Sequence, residues 1–226
     1  MKRSHINAII RDREEWVADM GFALPPWARW TPGRWSAVSR AASEIFDNML
    51  GWDVTDFGRG SFSDFGLVLF TIRNGNLAVD RKPYAEKIMI VDEGQANPMH
   101  FHRHKMEDII NRGGGRFVLE LYGSTSDGGL SDAPVSFRVD GIERSVPAGG
   151  KVVLETGESI CLEQGVYHRF FAEGGRVLAG EVSMVNDDRT DNHFLEPIGR
   201  YAEIEEDEAP YRLLCGEYGR FLSFAG

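Results

Sequence analysis

Apolar residues recur at helical spacing in the first part of the chain. Between residues 6 and 20 they follow one another at steps of three and four, which predicts an amphipathic helix over residues 4–20 with Ser4 as its N-cap. A second helix is expected over residues 36–50, ending at Gly51. Three tryptophans lie between the two predicted helices, and we expect them to pack the helices onto the rest of the protein rather than to stack on a sugar. They are Trp27, Trp30 and Trp35.

From residue 63 onward the pattern changes to short β-type runs separated by turn residues. Expected strands cover residues 65–73, 84–91, 113–122, 135–139, 145–146, 151–155, 159–162, 168–172, 177–185 and 202–206. Asn74-Gly75 is a hairpin signal after the first of them. In the strand over 84–91, Lys87, Met89 and Val91 share one face, and the pattern leaves open which face is the interior. So many short strands predict a closed or two-sheet antiparallel β structure.

Composition is that of a soluble globular protein with a sizeable core. The chain has 226 residues, 42% hydrophobic and 27% charged, and we expect one domain. A net charge of −10 argues against a nucleic-acid partner. No signal peptide and no 18-residue apolar span is present, so we expect a cytoplasmic protein without a membrane partner. Cys161 and Cys215 are too few for a disulfide framework, and reduced, buried thiols are expected.

The candidate chemistry is concentrated in residues 94–107. If residues 100–104 form a strand, His100 and His102 project to the same side, about 7 Å apart. Glu107 lies beyond a bend and can add an oxygen ligand, and His168 is the fourth candidate. Three imidazoles and one carboxylate without sulfur suit Mn, Fe, Co, Ni or Zn, and they disfavour a structural zinc site. The alternative is a metal-free site with satisfied polar side chains, which carries a desolvation cost.

Two motifs in the chain resemble those of the cupins. The first runs through Gly94, His100, His102, Glu107 and Gly114, and the second through Gly157, Glu163, Gly165, His168 and Ala172. Glu163 and Ala172 depart from the Pro and Asn usual in the second motif, and neither departure touches a ligand. The runs HFHRHKMEDIINRGGG and GEVSMVNDDRTDNHFLEPIGR are similar, more specifically, to the cupin-type D-lyxose isomerases.

This resemblance implies a mainly β fold, a cupin jelly-roll barrel (double-stranded β-helix) with the N-terminal α-helices packed outside. We expect one domain over residues 1–226, comprising a helical extension (1–60), the β-barrel (61–209) and a C-terminal tail (210–226). The sequence leaves open whether the tail packs on the domain or on a partner subunit. A homodimer and Mn(II) are also implied, with other divalent transition metals as alternatives.

The implied reaction is the interconversion of D-lyxose and D-xylulose, and of D-mannose and D-fructose, which share the C2 stereochemistry. Four protein ligands on an octahedral ion leave two adjacent positions for O1 and O2 of an open-chain monosaccharide. The ion then polarises the carbonyl and stabilises an enediolate, while a base moves a proton between C2 and C1.

Lysines and glutamates near the motifs are candidates for the proton transfers. Lys105 lies between His102 and Glu107, and the resemblance assigns it to proton transfer. Lys87 is a candidate for substrate binding. The resemblance also implies a base from the late acidic segment, where Glu203, Glu205 and Glu206 compete. We choose Glu206 because, in a strand, Ile204 on its side would mark the enclosed face.

Other polar residues near the motifs are expected to have minor roles. His104 is expected beside the ligands or at the surface, and His193 in a structural position or at the pocket rim. Asp187, Asp188 and Asp191 form an Asp-rich turn that could also bind sugar hydroxyls.

Three other functions remain open. A cupin dioxygenase with Fe(II) or Ni(II) uses the same ligand set, a sugar-binding cupin needs no catalytic lysine, and a phosphosugar isomerase would use Lys87, Lys105 and Arg112 to hold the phosphate.

Overall fold

The structure is a computed structural model that describes residues 1–38, 40–79, 81–185, 187 and 190–222. Its helices are α1 (Arg3–Asp19), α2 (Pro32–Trp35), α3 (Ser43–Asp47) and α4 (Tyr218–Phe221), with 3-10 turns at Pro26–Arg29 and Arg40–Ala42. The described residues form twelve strands: β1 (Gly51–Thr55), β2 (Leu67–Arg73), β3 (Tyr84–Val91), β4 (His100–His102), β5 (Glu107–Ser124), β6 (Leu130–Ser131), β7 (Val135–Val139), β8 (Ile142–Val146), β9 (Gly150–Leu154), β10 (Ser159–Leu162), β11 (Val166–Met184) and β12 (Asn192–Phe194).

Two long strands, β5 and β11, run antiparallel through the middle of the twelve-stranded sheet. Residues 107–114 of β5 pair with residues 177–183 of β11, within the strand order β1-β2-β3-β11-β5-β10-β7-β8. Farther along, β5 also pairs with β9, and β11 also pairs with β4, which in turn pairs with β12. The register between β5 and β11 shifts at Glu173/Val177. Gly114 lies opposite this bulge at φ 97°, where a Cβ would come within 2.0 Å of the Arg176 carbonyl oxygen. The close approach therefore requires glycine.

Apolar side chains fill two separate layers. The inner layer contains alternate residues of the long strands, including Ile109, Leu119 and Phe170. Outside, α1 covers β1, β2 and β3 with Ile6, Ile10 and Val17. Strand β3 divides its side chains between these layers: Met89 and Val91 lie inside, while Ile88 and Ile90 lie under α1. Lys87 is therefore on the interior face, which the sequence alone left open.

The expected mainly β architecture with an N-terminal helix packed outside is confirmed. Helix α1 covers almost the predicted range, but Ser4 is not its cap: it lies inside the helix and donates a hydrogen bond to Asp207 (2.7 Å). The second predicted helix, over 36–50, is wrong. It is replaced by α2, a 3-10 turn and α3, because Thr31 caps a helix that ends at Trp35 and because Met49 has a φ of 53°, which stops α3.

Several strand predictions also need correction. Strand β1 was missed, because Gly51 was interpreted as a helix stop. The predicted strands 113–122 and 168–172 with 177–185 are parts of the longer β5 and β11. Strands β2 and β3 pair antiparallel, yet residues 74–83 form a longer connection than a two-residue hairpin turn. Residues 202–206 form no extended strand; instead Glu205 exchanges backbone hydrogen bonds with Met1 and Arg3.

The described part of the C-terminal tail, up to residue 222, packs on its own domain. Tyr218, Leu213 and Cys215 form a cluster with Trp35, and the Tyr218 hydroxyl donates to the Leu50 carbonyl (2.8 Å). The tryptophans pack against other aromatic rings of the protein, as expected for packing residues. Both cysteines are free thiols, with Cys215 buried and Cys161 half-buried. None of the described helices has the length and apolar character needed to cross a membrane.

Candidate metal centre and active site

The two histidine motifs meet because β4 pairs with β11. His100 lies directly opposite His168 in the register, and His102 follows on the same face of β4. One ligand nitrogen from each of these histidines lies within 4.8 Å of the other two. His102 and His168 are buried. The structure thus gathers three of the predicted metal ligands at one point of the interior.

Backbone carbonyls fix the rings of two of these histidines. Nδ1 of His100 lies 2.9 Å from the Pro98 carbonyl oxygen, and Nδ1 of His168 lies 3.0 Å from that of Val166. A carbonyl only accepts, so each of these Nδ1 atoms carries a proton, and each Nε2 is the ring nitrogen left to face the cavity. Burial, together with the charges of His168 and His102, holds the pKa of His100 well below its usual value. Neutral imidazoles with free Nε2 atoms are the form that binds a metal ion.

Glu107, the fourth predicted ligand, faces the same point. Its Oε1 lies 3.2 Å from His168 Nε2 and 3.4 Å from His102 Nε2, and this buried oxygen receives no hydrogen bond within the described part of the chain. Imidazole nitrogens and a carboxylate oxygen that converge at these distances form a donor set that a cation between them would satisfy. The donor set therefore fits a divalent transition-metal ion. Burial raises the pKa of Glu107, but Lys105 and His102 outweigh it and hold that pKa well below its usual range.

A buried group of two lysines and one glutamate adjoins the histidines. Lys105 Nζ lies 2.6 Å from Glu107 Oε2 and 2.8 Å from Glu181 Oε1. Glu181 Oε1 also accepts a hydrogen bond from the Ser183 hydroxyl (3.0 Å), and it lies 3.4 Å from Lys87 Nζ. Burial lowers the pKa of Lys105, yet Glu107 and Glu181 more than compensate and raise it. Burial raises the pKa of Glu181, and Lys105 with Lys87 outweighs this and lowers it. The pair is therefore an ammonium and a carboxylate at neutral pH.

These polar groups line a small cavity that opens to solvent. Its wall includes Lys87, Lys105, Glu107, Glu181 and the three histidines on one side, with Asn192 and Arg200 nearby. Apolar side chains complete it, among them Phe57, Leu69, Phe170 and Phe194. A small cavity with converging polar groups on an apolar wall is the usual form of a site for a small ligand.

The structure does not bring Glu206 to this cavity, which corrects the choice of base made from the sequence. Its carboxylate accepts hydrogen bonds from Arg3 (2.9 Å) and Arg220 (2.6 Å), and Arg3 in turn pairs with Glu217. Ile204 does face an apolar layer, but that layer is the one beneath α1. Glu203 and Glu205 lie beside the start of α1 as well, where the Glu203 carbonyl accepts from the N-terminal amine.

The glutamate that lies beside Lys105 is Glu181, and not a residue of the late acidic segment. It was missed although a signal existed: along β11 the interior positions are Val177, Ala179 and then Glu181, so a carboxylate interrupts an apolar face. A charged residue at an interior position is rare unless it is paired or functional.

The remaining candidates are dispersed. His104 is exposed, and the His193 ring packs on Phe101 and Tyr167, as a structural residue would. Arg112 is exposed, outside the cavity. Asp191 is buried and accepts a hydrogen bond from the His104 backbone N–H (2.7 Å). It therefore contacts the segment between His102 and Glu107, which an ordinary Asp-rich surface turn would not do. Asp188 lies outside the described residues.

Comparisons with known proteins point to one family. The model of the family described as D-lyxose isomerase matches residues 1–218. A D-lyxose/D-mannose isomerase of Escherichia coli O157:H7 is 48% identical over 98% of this chain and 100% of its own length. One of Serratia proteamaculans is 46% identical over 99% and 100%.

Solved structures show the same fold at low sequence identity. An L-ribose isomerase of Acinetobacter sp. DL28, in complex with L-ribose, superposes with a TM-score of 0.61 at 12% identity, covering 91% of this chain and 98% of that one. One of Cellulomonas parahominis, with L-ribose, gives 0.59 at 16% identity with the same coverage. These structures support a cupin-like fold. The family match and the two relatives identify the chain as a member of the D-lyxose isomerase family and as a sugar isomerase.

Proposed function

We propose that the protein is a metal-dependent aldose–ketose isomerase that interconverts D-lyxose with D-xylulose and D-mannose with D-fructose, using Mn(II). The observation that carries the proposal is the convergence of three imidazoles and Glu107 beside the buried Lys105–Glu181 pair. Two relatives named D-lyxose/D-mannose isomerase support the choice of sugars.

His100, His102, His168 and Glu107 would hold the ion. A divalent cation bound there would supply Lewis-acid chemistry, polarising a sugar carbonyl and balancing the negative charge that develops on the sugar oxygens. Manganese is the metal that the family resemblance implies, and the nitrogen and oxygen donors are compatible with it.

Glu181 is proposed as the base that carries the carbon-bound proton. Its pKa lies below the usual value, so the carboxylate is ionised and can accept the proton from C2 of the open-chain aldose. It returns the same proton to C1 on the same face of the intermediate. Lys87 and Ser183, which contact its Oε1, hold the carboxylate in place. Lys87 also lines the cavity and is proposed to bind the sugar.

Lys105 is proposed to move the proton between the oxygens. As an ammonium group it donates a proton to O1 as the carbonyl bond opens, and it takes one from O2 as the ketose carbonyl forms. The net change moves one hydrogen from C2 to C1 and one from O2 to O1, so atoms and charge balance. Its contacts with Glu107 and Glu181 keep Nζ between the proposed metal ligand and the proposed base.

A ketose-forming assay on chelated protein tests the proposal. With MnCl₂ restored, D-lyxose and D-mannose should be converted, and without added metal the rate should fall to background. Conversion of neither sugar with any divalent metal would refute the proposed function.

The same assay tests the two alternative reactions. Turnover without dioxygen excludes a dioxygenase, because isomerisation consumes no oxidant. A phosphosugar isomerase would prefer phosphorylated sugars. The structure does not favour this alternative. Lys87 and Lys105 are buried and both pair with Glu181, and Arg112 does not line the cavity.

The proposal includes a homodimer and a cytoplasmic location. Light scattering of the purified protein in solution tests the first, and fractionation of the source cells tests the second.

A further inference from the structure

Asp191 holds the turn that joins the two halves of the candidate metal centre. This turn, residues 103–105, follows His102 on β4 and precedes Glu107 on β5. All three of its backbone N–H groups donate to Asp191: Arg103 to the backbone carbonyl (3.1 Å), His104 to Oδ1 (2.7 Å) and Lys105 to Oδ2 (3.3 Å). With a relative exposure of 5%, Asp191 is shielded from competing water.

The three histidines differ in what fixes their rings. His100 and His168 are oriented by carbonyls two residues earlier in their own segments, Pro98 and Val166. His102 has no such partner: its Nδ1 is buried without a hydrogen-bond acceptor at normal geometry in the described portion of the protein, and Asp191 Oδ2 lies 3.5 Å away. A small rotation of the ring would complete a carboxylate–histidine contact of the kind that orients metal-bound imidazoles.

We propose that Asp191 is a positioning residue for the metal centre, which fixes the 103–105 turn and the ring of His102 together and so sets the affinity for the divalent ion. The proposal rests on the metal site of the proposed function and adds a residue from a distant segment to it. Asp191 is not among the candidate ligands, because it lies beside Nδ1 of His102, whereas Nε2 of the same ring faces Glu107.

An amide cannot replace this carboxylate. The Asn oxygen can replace only one of the two carboxylate oxygens, and the amide nitrogen that replaces the other is a donor. In the place of Oδ1 this nitrogen opposes the His104 N–H. In the place of Oδ2 it opposes the Lys105 N–H and the His102 Nδ1–H. Loss of such outer partners typically weakens metal binding by ten- to a hundredfold. We expect Asp191→Asn to raise the dissociation constant for Mn(II) by about this factor.

Asp56 provides the matched control. It is also a buried aspartate in a turn, with a relative exposure of 4%, and its carboxylate accepts the backbone N–H groups of Gly58 (3.0 Å) and Gly60 (3.2 Å). It contacts none of the candidate ligands in these bonds. Asp56→Asn should therefore destabilise its own turn without changing the affinity for Mn(II).

The experiment is calorimetric titration of the full-length, chelated wild type and the two variants with MnCl₂, together with thermal unfolding with and without the metal. A merely structural role lowers the melting temperature of the metal-free protein but leaves the dissociation constant unchanged. The expected result is weaker binding and a smaller metal-induced rise in melting temperature for Asp191→Asn alone. If this variant does not fold, Asp191→Ala, which carries no opposing amide, is titrated in its place with the same expectation.

Wild-type affinity in the Asp191 variant, or equal losses in the Asp191 and Asp56 variants, would overturn the inference. These outcomes differ from failure of the proposed function, in which the wild type itself would bind Mn(II) without isomerising either sugar.

Discussion

Replacing Glu181 with glutamine tests the proposed proton carrier. Gln has nearly the same shape and retains one oxygen that can accept from Lys105 and Ser183, which now contact Oε1 at 2.8 and 3.0 Å. It cannot accept a proton from carbon at neutral pH. Removing a general base typically costs a factor of about 10² to 10⁴ in rate, which corresponds to roughly 3 to 5 kcal/mol of activation free energy.

The assay is the steady-state conversion of D-mannose to D-fructose at saturating MnCl₂, with metal affinity measured in parallel. We expect kcat of Glu181→Gln to fall by at least about a hundredfold, with Mn(II) still bound because Glu181 is not among the candidate ligands. Glu14→Gln is the control: Glu14 is buried and accepts from Arg212 and Tyr211 away from the cavity. A Glu181→Gln variant with kcat near that of the wild type would refute the assignment.

Three further predictions address the lysine, a surface network and the outer core. Lys105→Met should reduce kcat by about a hundredfold, because it removes the proposed proton donor. It should not weaken Mn(II) binding, because it removes a positive charge 2.6 Å from the candidate ligand Glu107. Weaker Mn(II) binding in titration would contradict this. Arg3 and Arg220 hold the pKa of Glu206 below its usual 4.5, so this carboxylate stabilises the fold above that pH and loses its effect as pH falls through its folded-state pKa. Urea unfolding should therefore show Glu206→Gln less stable than wild type at pH 7, with the difference vanishing at low pH. Ile10→Ala, in the layer under α1, should cost about 2 to 5 kcal/mol of unfolding free energy.

Part of the candidate ligand set could be predicted because local rules place it. His100 and His102 are two residues apart on a strand, so alternation alone puts them on one side. His168 could be paired with them only through the family resemblance, since nothing in strand periodicity says which strands become neighbours. The structure supplies that pairing in the register of β4 with β11.

The choice of Glu206 failed because an enclosed face was equated with the interior. This fold has two apolar layers, and Ile204 packs in the outer one, beneath α1. Glu181 lies in the inner layer, but a bulge at Glu173/Val177 separates it from His168 in strand register. Counting alternate positions onward from His168 does not reveal such a bulge.

The second helix failed for a related reason. Its apolar spacing was suitable, but Trp35, which is buried against Tyr218, Trp30 and Phe46, terminates α2 at the first turn. Contacts with the distant C-terminal tail thus outweigh local helical propensity.

Anomalous diffraction at the manganese absorption edge, from crystals of the Mn(II)-loaded protein, would test the central claim most directly. We predict one strong peak per chain, within bonding distance of the imidazole nitrogens of His100, His102 and His168 and of Glu107 Oε1, with adjacent coordination positions left to solvent or sugar. A peak elsewhere in the chain, or an ion whose coordination is completed by protein atoms alone, would contradict the claim.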